Sequence, residues 1–471
     1  MYNKKPNPAT ITRRFVPNAP RIAVLVNSIV LTLVVSIWSG VVFAQSCAPA
    51  STAPGSLDTC FGIDGRVVTM LNGTSSSWAN AVAVQTDGKV VVAVYESSSS
   101  GSKQDFVVLR YDSAGLLDPT FGNGGVARIS FAKSGAERAG ALAIQSDGKI
   151  IVVGYAPVKS YSAFAVARLN SNGSLDSSFG NGGTVLFSFQ NNVTASAEAV
   201  TIQANGYIVV AGRSNAEFAL ARFTPNGAFD TGFNGTGKVT VSTANSSDTL
   251  LGGAYDVAIQ RVVVSGVVQE KLVAAGIRPS LAGVGRDMAV LRINPNGSLD
   301  ASFGSGGKVF TNFAGYSDQA KAVAIDANNN IVVAGHTLTD STNGQMFALV
   351  RYTENGQLDL SFGSGGKVTA GITGDHNAVY GHGLAVQSDG RIVFSGYVET
   401  SANTNGDFAV GRFNSNGTPD TTFGSDGTGI VLTDFYGGND HAWGGLARQA
   451  DGGIVVVGQV STQIGLARYM P

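Results

Sequence analysis

Downstream of residue 56 the hydrophobic and polar positions follow one short pattern that returns along the chain. In the second copy an alternating stretch at 126–131 follows the turn Gly122-Asn123-Gly124-Gly125. A second alternating stretch, 141–145, ends at Asp147-Gly148, a two-residue hairpin signal. A near-continuous apolar run at 150–155 and a further one at 164–169 complete the unit. Period-two alternation and Val/Ile runs bounded by Gly, Asn and Asp predict four β-strands, a to d. No part of this region shows helical periodicity.

The anchor of the unit is Leu-Asp-x-x-Phe-Gly. Its aspartates are Asp58, Asp118, Asp176, Asp230, Asp300, Asp359 and Asp420, spaced by 60, 58, 54, 70, 59 and 61 residues. Each four-strand unit is too small to bury both its faces, so neighbouring units must cover one another. Seven such units predict an all-β fold, a seven-bladed β-propeller of four-stranded antiparallel blades, over 57–471. An open β-solenoid is the alternative, and the unit is long for a solenoid coil.

The repeated motifs resemble the delta-60 repeat, a bacterial propeller family also known as a domain of unknown function. The resemblance rests on Gln145-Ser146-Asp147-Gly148-Lys149, Ile151-Val152-Val153-Gly154, Ala165-Val166-Ala167-Arg168 and Asn172-Gly173-Ser174-Leu175-Asp176 with Phe179-Gly180-Asn181-Gly182-Gly183. Leu169 stands where the pattern has an aromatic residue. The resemblance covers about residues 57 to 471 and implies a secreted or surface propeller. It implies no activity and supplies no catalytic residue.

Charge and composition narrow the function classes. The chain is 13% charged with 62 Gly, which suits short strands and tight turns. Five bases and no acid lie in the first 44 residues, so the remaining 26 bases against 32 acids leave the body at −6. A mildly acidic body argues against nucleic acid and gives no attraction to an anionic membrane. The N-terminus reads as a targeting segment, 1–44: a basic stretch to Arg21, an apolar run to Ala44, and the small-residue site Val42-Phe43-Ala44. An uncleaved membrane anchor is the alternative, and is then the chain's one link to a membrane. The expected location is secreted or cell envelope. Residues 45–56 read as a short linker. Cys47 and Cys60 either pair, tying the mature N-terminus to the first unit, or stay free.

Seven arginines share one strand-d position: Arg110, Arg168, Arg222, Arg292, Arg351, Arg412 and Arg468. In the first six an anchor aspartate follows eight residues later. A ring of ligand-binding charges is one reading. A structural Arg–Asp clamp is the favoured one, because buried charges need partners and these recur in fixed register. Arg468 has no aspartate downstream and Asp58 no arginine upstream, so the two are expected to meet and close the ring.

The b–c hairpins and d–a turns repeat and should share one face. The a–b and c–d loops vary and should share the other, the expected binding face. The varied c–d loops lie at 96–104, 157–161, 279–286, 337–345 and 399–406. Just before strand b sit Trp78, Arg138, Glu198, Tyr255, Lys321, His376, Tyr380, His382, His441 and Trp443. Of these, Trp78, Tyr255, His376, Tyr380, His382, His441 and Trp443 are the candidate binding residues, since aromatic rings bury much area at small entropic cost. His376, His382 and His441, with Asp375 and Asp440, could converge on a metal; surface histidines in polar loops are the commoner explanation. No metal, cofactor or catalytic residue is expected. The predicted function is a binding module for a protein or carbohydrate partner. A propeller lyase or hydrolase using those histidines, and a passive coat protein, are the alternatives.

Overall fold

The computed structural model describes residues 47–71, 74–98, 103–131, 135–243, 252–280, 285–313, 317–338, 344–371, 376–400 and 405–471. The targeting segment and parts of several varied a–b and c–d loops lie outside the described residues.

Seven antiparallel sheets form a closed seven-bladed propeller. The blade and the sequence unit are cut at different places. The first blade orders Thr74–Val84, Val90–Ser98, Lys103–Tyr111 and Val126–Ile129, which are strands b, c and d of one unit and strand a of the next. The following five blades repeat this order. In the second sequence unit, strand b starts at Arg138 (Arg138–Ile144), ahead of the predicted 141, and strand a ends at Ile129. The fourth blade has the long b–c hairpin Gly253–Val264 and Val267–Pro279, which accounts for part of its long spacing.

The offset closes the ring. Strand a of the first unit, Arg66–Thr69, follows no strand d among the described residues, and it pairs antiparallel with Gln463–Tyr469 as the outer strand of the seventh blade. Gly55 N–H donates to Met470 O and Met470 N–H to Ser56 O, at 3.0 and 2.8 Å. A disulfide joins Cys47 to Cys60 beside this seam.

Strands c and d read as continuous apolar runs because both faces are covered. Val91, Ala93, Phe106 and Val108 of the first blade pack with Ile150, Val152, Ala165 and Ala167 of the second. The opposite set, Val90, Val92, Val94, Val107 and Leu109, packs with Val455, Val457, Ile464 and Leu466 of the seventh. Each of the seven buried clusters sits at one interface between blades. The core is therefore a ring of interfaces.

The Arg–Asp pairs sit in the turns between strands d and a. All seven arginines contact their aspartates at 2.5–2.9 Å. Each guanidinium also lies over the anchor phenylalanine, 4.6–4.8 Å from the ring centroid. Arg110, Arg168, Arg292, Arg351 and Arg468 further donate to a carbonyl of the next blade: Ser171, Pro225, Glu354, Ser415 and Ser113. The clamp thus holds its own turn and the neighbouring blade. The b–c hairpin adds a third member, since Lys149 reaches Asp176 at 3.1 Å and Lys271 reaches Asp300 at 2.6 Å. That contact puts the hairpins and the d–a turns on one face. Burial opposes ionisation of Asp118, yet the Thr120 hydroxyl and N–H, with Arg110 and Lys89, hold its carboxyl down to about 2.

The anchor glycine has a conformational reason. Gly122 has φ of 54°, and a Cβ there would stand 2.2 Å from Val126 O. Its N–H donates to Asn172 O of the next blade at 2.8 Å. In the fourth unit Asn234 takes this place at φ 53°, a backbone asparagine tolerates.

Candidate functional site: the channel ring

Strand b is the innermost strand of every blade, and it carries a β-bulge. The register slips between Ala79 and Ala81, Ala139 and Ala141, Ala197 and Ala199, Ala254 and Asp256, Ala320 and Ala322, and Gly381 and Gly383. A bulge leaves one residue unpaired and turns it out of the sheet. Here the unpaired residues are Asn80, Gly140, Glu198, Tyr255, Lys321 and His382. In the seventh blade strand b breaks between His441 and Leu446, and Trp443-Gly444 occupies the corresponding place. The residue before each bulge is a buried alanine in six blades and Gly381 in the other. Small buried residues hold the inner strands close, and the bulge turns one non-repeating position per blade, a glycine in the second, toward the axis.

These residues line one cavity of about 350 Å³, with Asn80, Arg138, Glu198, Tyr255, Asp256, Lys321, His382 and Trp443 among its walls. A larger groove of about 1050 Å³ lies on the outer rim, between residues 51–57 and the outer strands of the fifth and sixth blades. It follows the closure seam and gathers fewer ionisable groups, so the channel is the stronger candidate.

Lys321 Nζ lies 3.7 Å from the ring centroid of Tyr255. Burial pulls its ammonium down to about 8; Glu198 opposes this, and Arg286, Arg213 and Arg138 add to it. Glu198 accepts from Ser196 Oγ at 2.7 Å and lies 3.8 Å from Arg213 Nη2. Burial pushes the Asp256 carboxyl up to about 6, although the N–H groups of Val257 and Val323 both donate to it at 2.8 Å. Asn80 Nδ2 donates to Ala139 O of the next blade at 2.6 Å. His382 is held neutral by burial and by the Lys321 charge, and its Nε2 has no hydrogen-bond partner among the described residues.

An aromatic wall rises from the ring toward the a–b face. Trp443 lies 4.6 Å from Tyr397, 5.0 Å from His382 and 5.5 Å from His441, between ring centroids. Tyr380 stacks on Tyr397 at 4.6 Å. Across the first blade Trp78 stacks on Tyr95 at 4.5 Å, and Arg138 covers the same Tyr95 at 4.9 Å.

Of the candidate residues, the structure brings Tyr255, His382 and Trp443 into the cavity wall. Trp78, Tyr380 and His441 lie behind or above it. The side chain of His376, and all of Asp375, lie outside the described residues. His441 Nε2 lies 3.6 Å from Glu399 and is not part of the cavity wall, while His382 is, and both rings pack against Trp443. Sequence reasoning noted Glu198, Lys321 and Arg138 without ranking them, and missed Asn80 and Asp256. The signal was the Ala-x-Ala triplet, as in Ala79-Asn80-Ala81, Ala197-Glu198-Ala199 and Ala320-Lys321-Ala322, whose centre alone varies.

The fold and its ring define a repeat propeller with a non-repeating lumen. Six segments, 85–121, 145–179, 203–233, 271–303, 327–362 and 387–423, match the family model described as a domain of unknown function (DUF5122) beta-propeller. The match supports a β-propeller family of unknown function. No curated protein matches the sequence. Among solved structures, a catalytically inactive virginiamycin B lyase from Staphylococcus aureus with quinupristin is similar at 13% identity and TM-score 0.43, over 85% of this chain and 98% of that one. A Dyadobacter fermentans protein of unknown function is similar at 10% identity and TM-score 0.43, over 86% and 98%. YCF48 bound to D1 peptide is similar at 10% identity and TM-score 0.41, over 90% and 99%. Likenesses this distant carry no residue and no activity over to this chain.

Proposed function

We propose that this protein is an exported binding module that captures a small acidic ligand, the acidic sugar residue of a glycan, at the mouth of its channel. One observation carries the reading: Lys321, with Arg138, Arg213 and Arg286 close enough to depress its pKa, sits in an aromatic-walled cavity of a body that is otherwise net negative. Lys321 and Arg138 share this low-dielectric lumen with Glu198 and Asp256, and the field on their side of it draws a ligand carboxylate. Lysine and arginine bind a carboxylate through charge-assisted hydrogen bonds. Trp443 and Tyr255 offer ring faces for the apolar side of a sugar. A cavity of about 350 Å³ suits one sugar residue and is at the small end of the usual ligand range. Asn80, Glu198 and Asp256 supply oriented polar groups for hydroxyls.

The test is calorimetric titration of the purified chain with matched sugars that differ by one carboxylate. The acidic sugar is expected to bind, more weakly as salt rises, and to be recovered unchanged. Lys321→Ala and Trp443→Ala should each weaken it by about tenfold or more, the loss of one charge-assisted contact or one aromatic anchor. Equal binding of the neutral sugar, or unchanged affinity in Lys321→Ala, overturns the reading. Recovery of a cleaved product replaces it with an enzyme. Export is checked separately, by fractionation and by the mass of the recovered chain, expected to begin at Gln45.

A further inference from the structure

Away from the channel, three carboxylates meet where the sixth and seventh blades join. Asp407 lies at the start of strand d of the sixth blade, Asp434 directly follows its outer strand, and Asp440 opens the inner strand of the seventh. One oxygen from each lies within 4.8 Å of the others.

The same positions at the join of the fourth and fifth blades hold Asp287, Asn312 and Asp318. The correspondence is structural: Asp318 accepts the N–H of Phe313 at 2.8 Å, as Asp440 accepts that of Phe435 at 2.6 Å. There every acceptor is answered. Arg278, opposite Asp287 on strand c, pairs with it at 3.4 Å. Asn312 Nδ2 donates to Asp287 Oδ1 at 3.0 Å, and the Thr337 hydroxyl donates to Asp318 Oδ1.

At the join of the sixth and seventh blades all three donors are gone. Val398 faces Asp407, Val460 faces Asp440, and Asp434 stands in place of the asparagine. Asp440 is 0% exposed, and its Oδ1 has no hydrogen-bond partner among the described residues. Arg66 donates to the backbone oxygen of Asp434, not to its carboxylate. A buried carboxylate with one oxygen answered only by a backbone N–H and the other by nothing among the described residues, beside two further anions, calls for a positive charge.

We propose that Asp407, Asp434 and Asp440 bind a calcium ion that bridges the last two blades. The donors are all hard oxygens, which excludes the thiolate- and imidazole-seeking metals. Calcium–oxygen bonds of about 2.3–2.6 Å span the carboxylates across one ion, whereas magnesium demands a tighter octahedron at about 2.1 Å. The ion replaces what Arg278, Asn312 and Thr337 supply at the other join, and ties the sixth blade to the closing one.

The test is calorimetric titration of the chelator-treated full chain with CaCl2, and in parallel with MgCl2, with thermal unfolding followed in each salt. Calcium is expected to bind at one site per chain and to raise the unfolding midpoint, with magnesium weaker. Asp407→Asn and Asp434→Asn keep size and spare the buried Asp440, so the fold should survive. Each should weaken calcium binding by at least about tenfold, the lower end of what even outer-shell changes cost. No heat and no midpoint shift with saturating CaCl2 overturns the site, as does an unaltered calcium affinity in both variants. Magnesium binding as tight as calcium overturns the choice of ion.

Discussion

Arg468→Ala is expected to destabilise the protein by about 3–5 kcal/mol and to open the ring at one seam, the cost of stranding one member of a buried ion pair. Arg468 and Asp58 come from opposite ends of the chain and meet at 2.5 Å, with side chains 10% and 14% exposed. The same guanidinium donates to Ser113 O of the first blade at 2.7 Å and lies over Phe61 at 4.8 Å. The substitution therefore loosens the outer strand of the seventh blade and the join to the first together. Arg168→Ala removes an equivalent clamp, but Asp176 stays tethered through a short turn of the same chain segment. Both variants should lose stability in urea unfolding. Only Arg468→Ala should also expose residues 55–69 to amide exchange and proteolysis under native conditions. A loss within about 0.5 kcal/mol, the range of ordinary surface changes, or protection of that segment equal to wild type, would show that strand pairing alone closes the ring.

That prediction rests on a feature legible from one sequence. The Asp-x-x-Phe-Gly turn and the Asp-Gly hairpin are local devices, set by residues within a few positions of one another. The Asp-x-x-Phe anchor recurs seven times and the hairpin recurs with substitutions such as Asn205-Gly206, which is enough to announce blades. The two unmatched charges, Arg468 and Asp58, even point to the closure. What repetition hides is where one blade ends. A chain reading a, b, c, d repeatedly looks the same whichever strand is counted first, and only pairing shows Val126–Ile129 on the sheet of Lys103–Tyr111.

The channel ring is harder to read for a different reason. Alternation predicts which way a side chain points only while the two-residue period holds, and a bulge breaks it by one residue. Tyr255 and Lys321 lie within an inner strand, yet they read as pre-strand polar positions. The varied loops, by contrast, stand out in the sequence as the part of each unit's pattern that does not repeat. The carboxylates Asp407, Asp434 and Asp440 come from three separate elements. Their meaning emerges only beside Asp287, Asn312 and Asp318, whose donors they lack.

The sharpest consequence of the ring concerns Lys321, where stability and binding are expected to oppose each other. Lys321→Met keeps the stem that packs in the lumen and removes the ammonium. In the unfolded chain this amine titrates near its ordinary 10.5; in the fold burial lowers it to about 8. Between those values the unfolded chain binds a proton that the native one does not, so wild-type stability rises with pH across that window. Below about pH 8 the native protein carries the full cost of a charge held in a poor environment. Each pH unit between the two values is worth about 1.4 kcal/mol, an upper bound of about 3.5 kcal/mol. The side chain still touches channel space, and the contact with Tyr255 at 3.7 Å is lost with the charge. The net gain of Lys321→Met at pH 7 is therefore expected to be at most about 1.5–3 kcal/mol, after subtracting a cation–π contribution of about 0.5–2 kcal/mol. Urea midpoints of both proteins at pH 7 and pH 10 check it, since other titrating groups cancel in the difference. The advantage of the methionine variant should shrink at the higher pH. An advantage that stays constant or grows would mean that the ammonium is well solvated in the lumen. In that case the channel would hold no focused charge with which to recognise an acidic ligand.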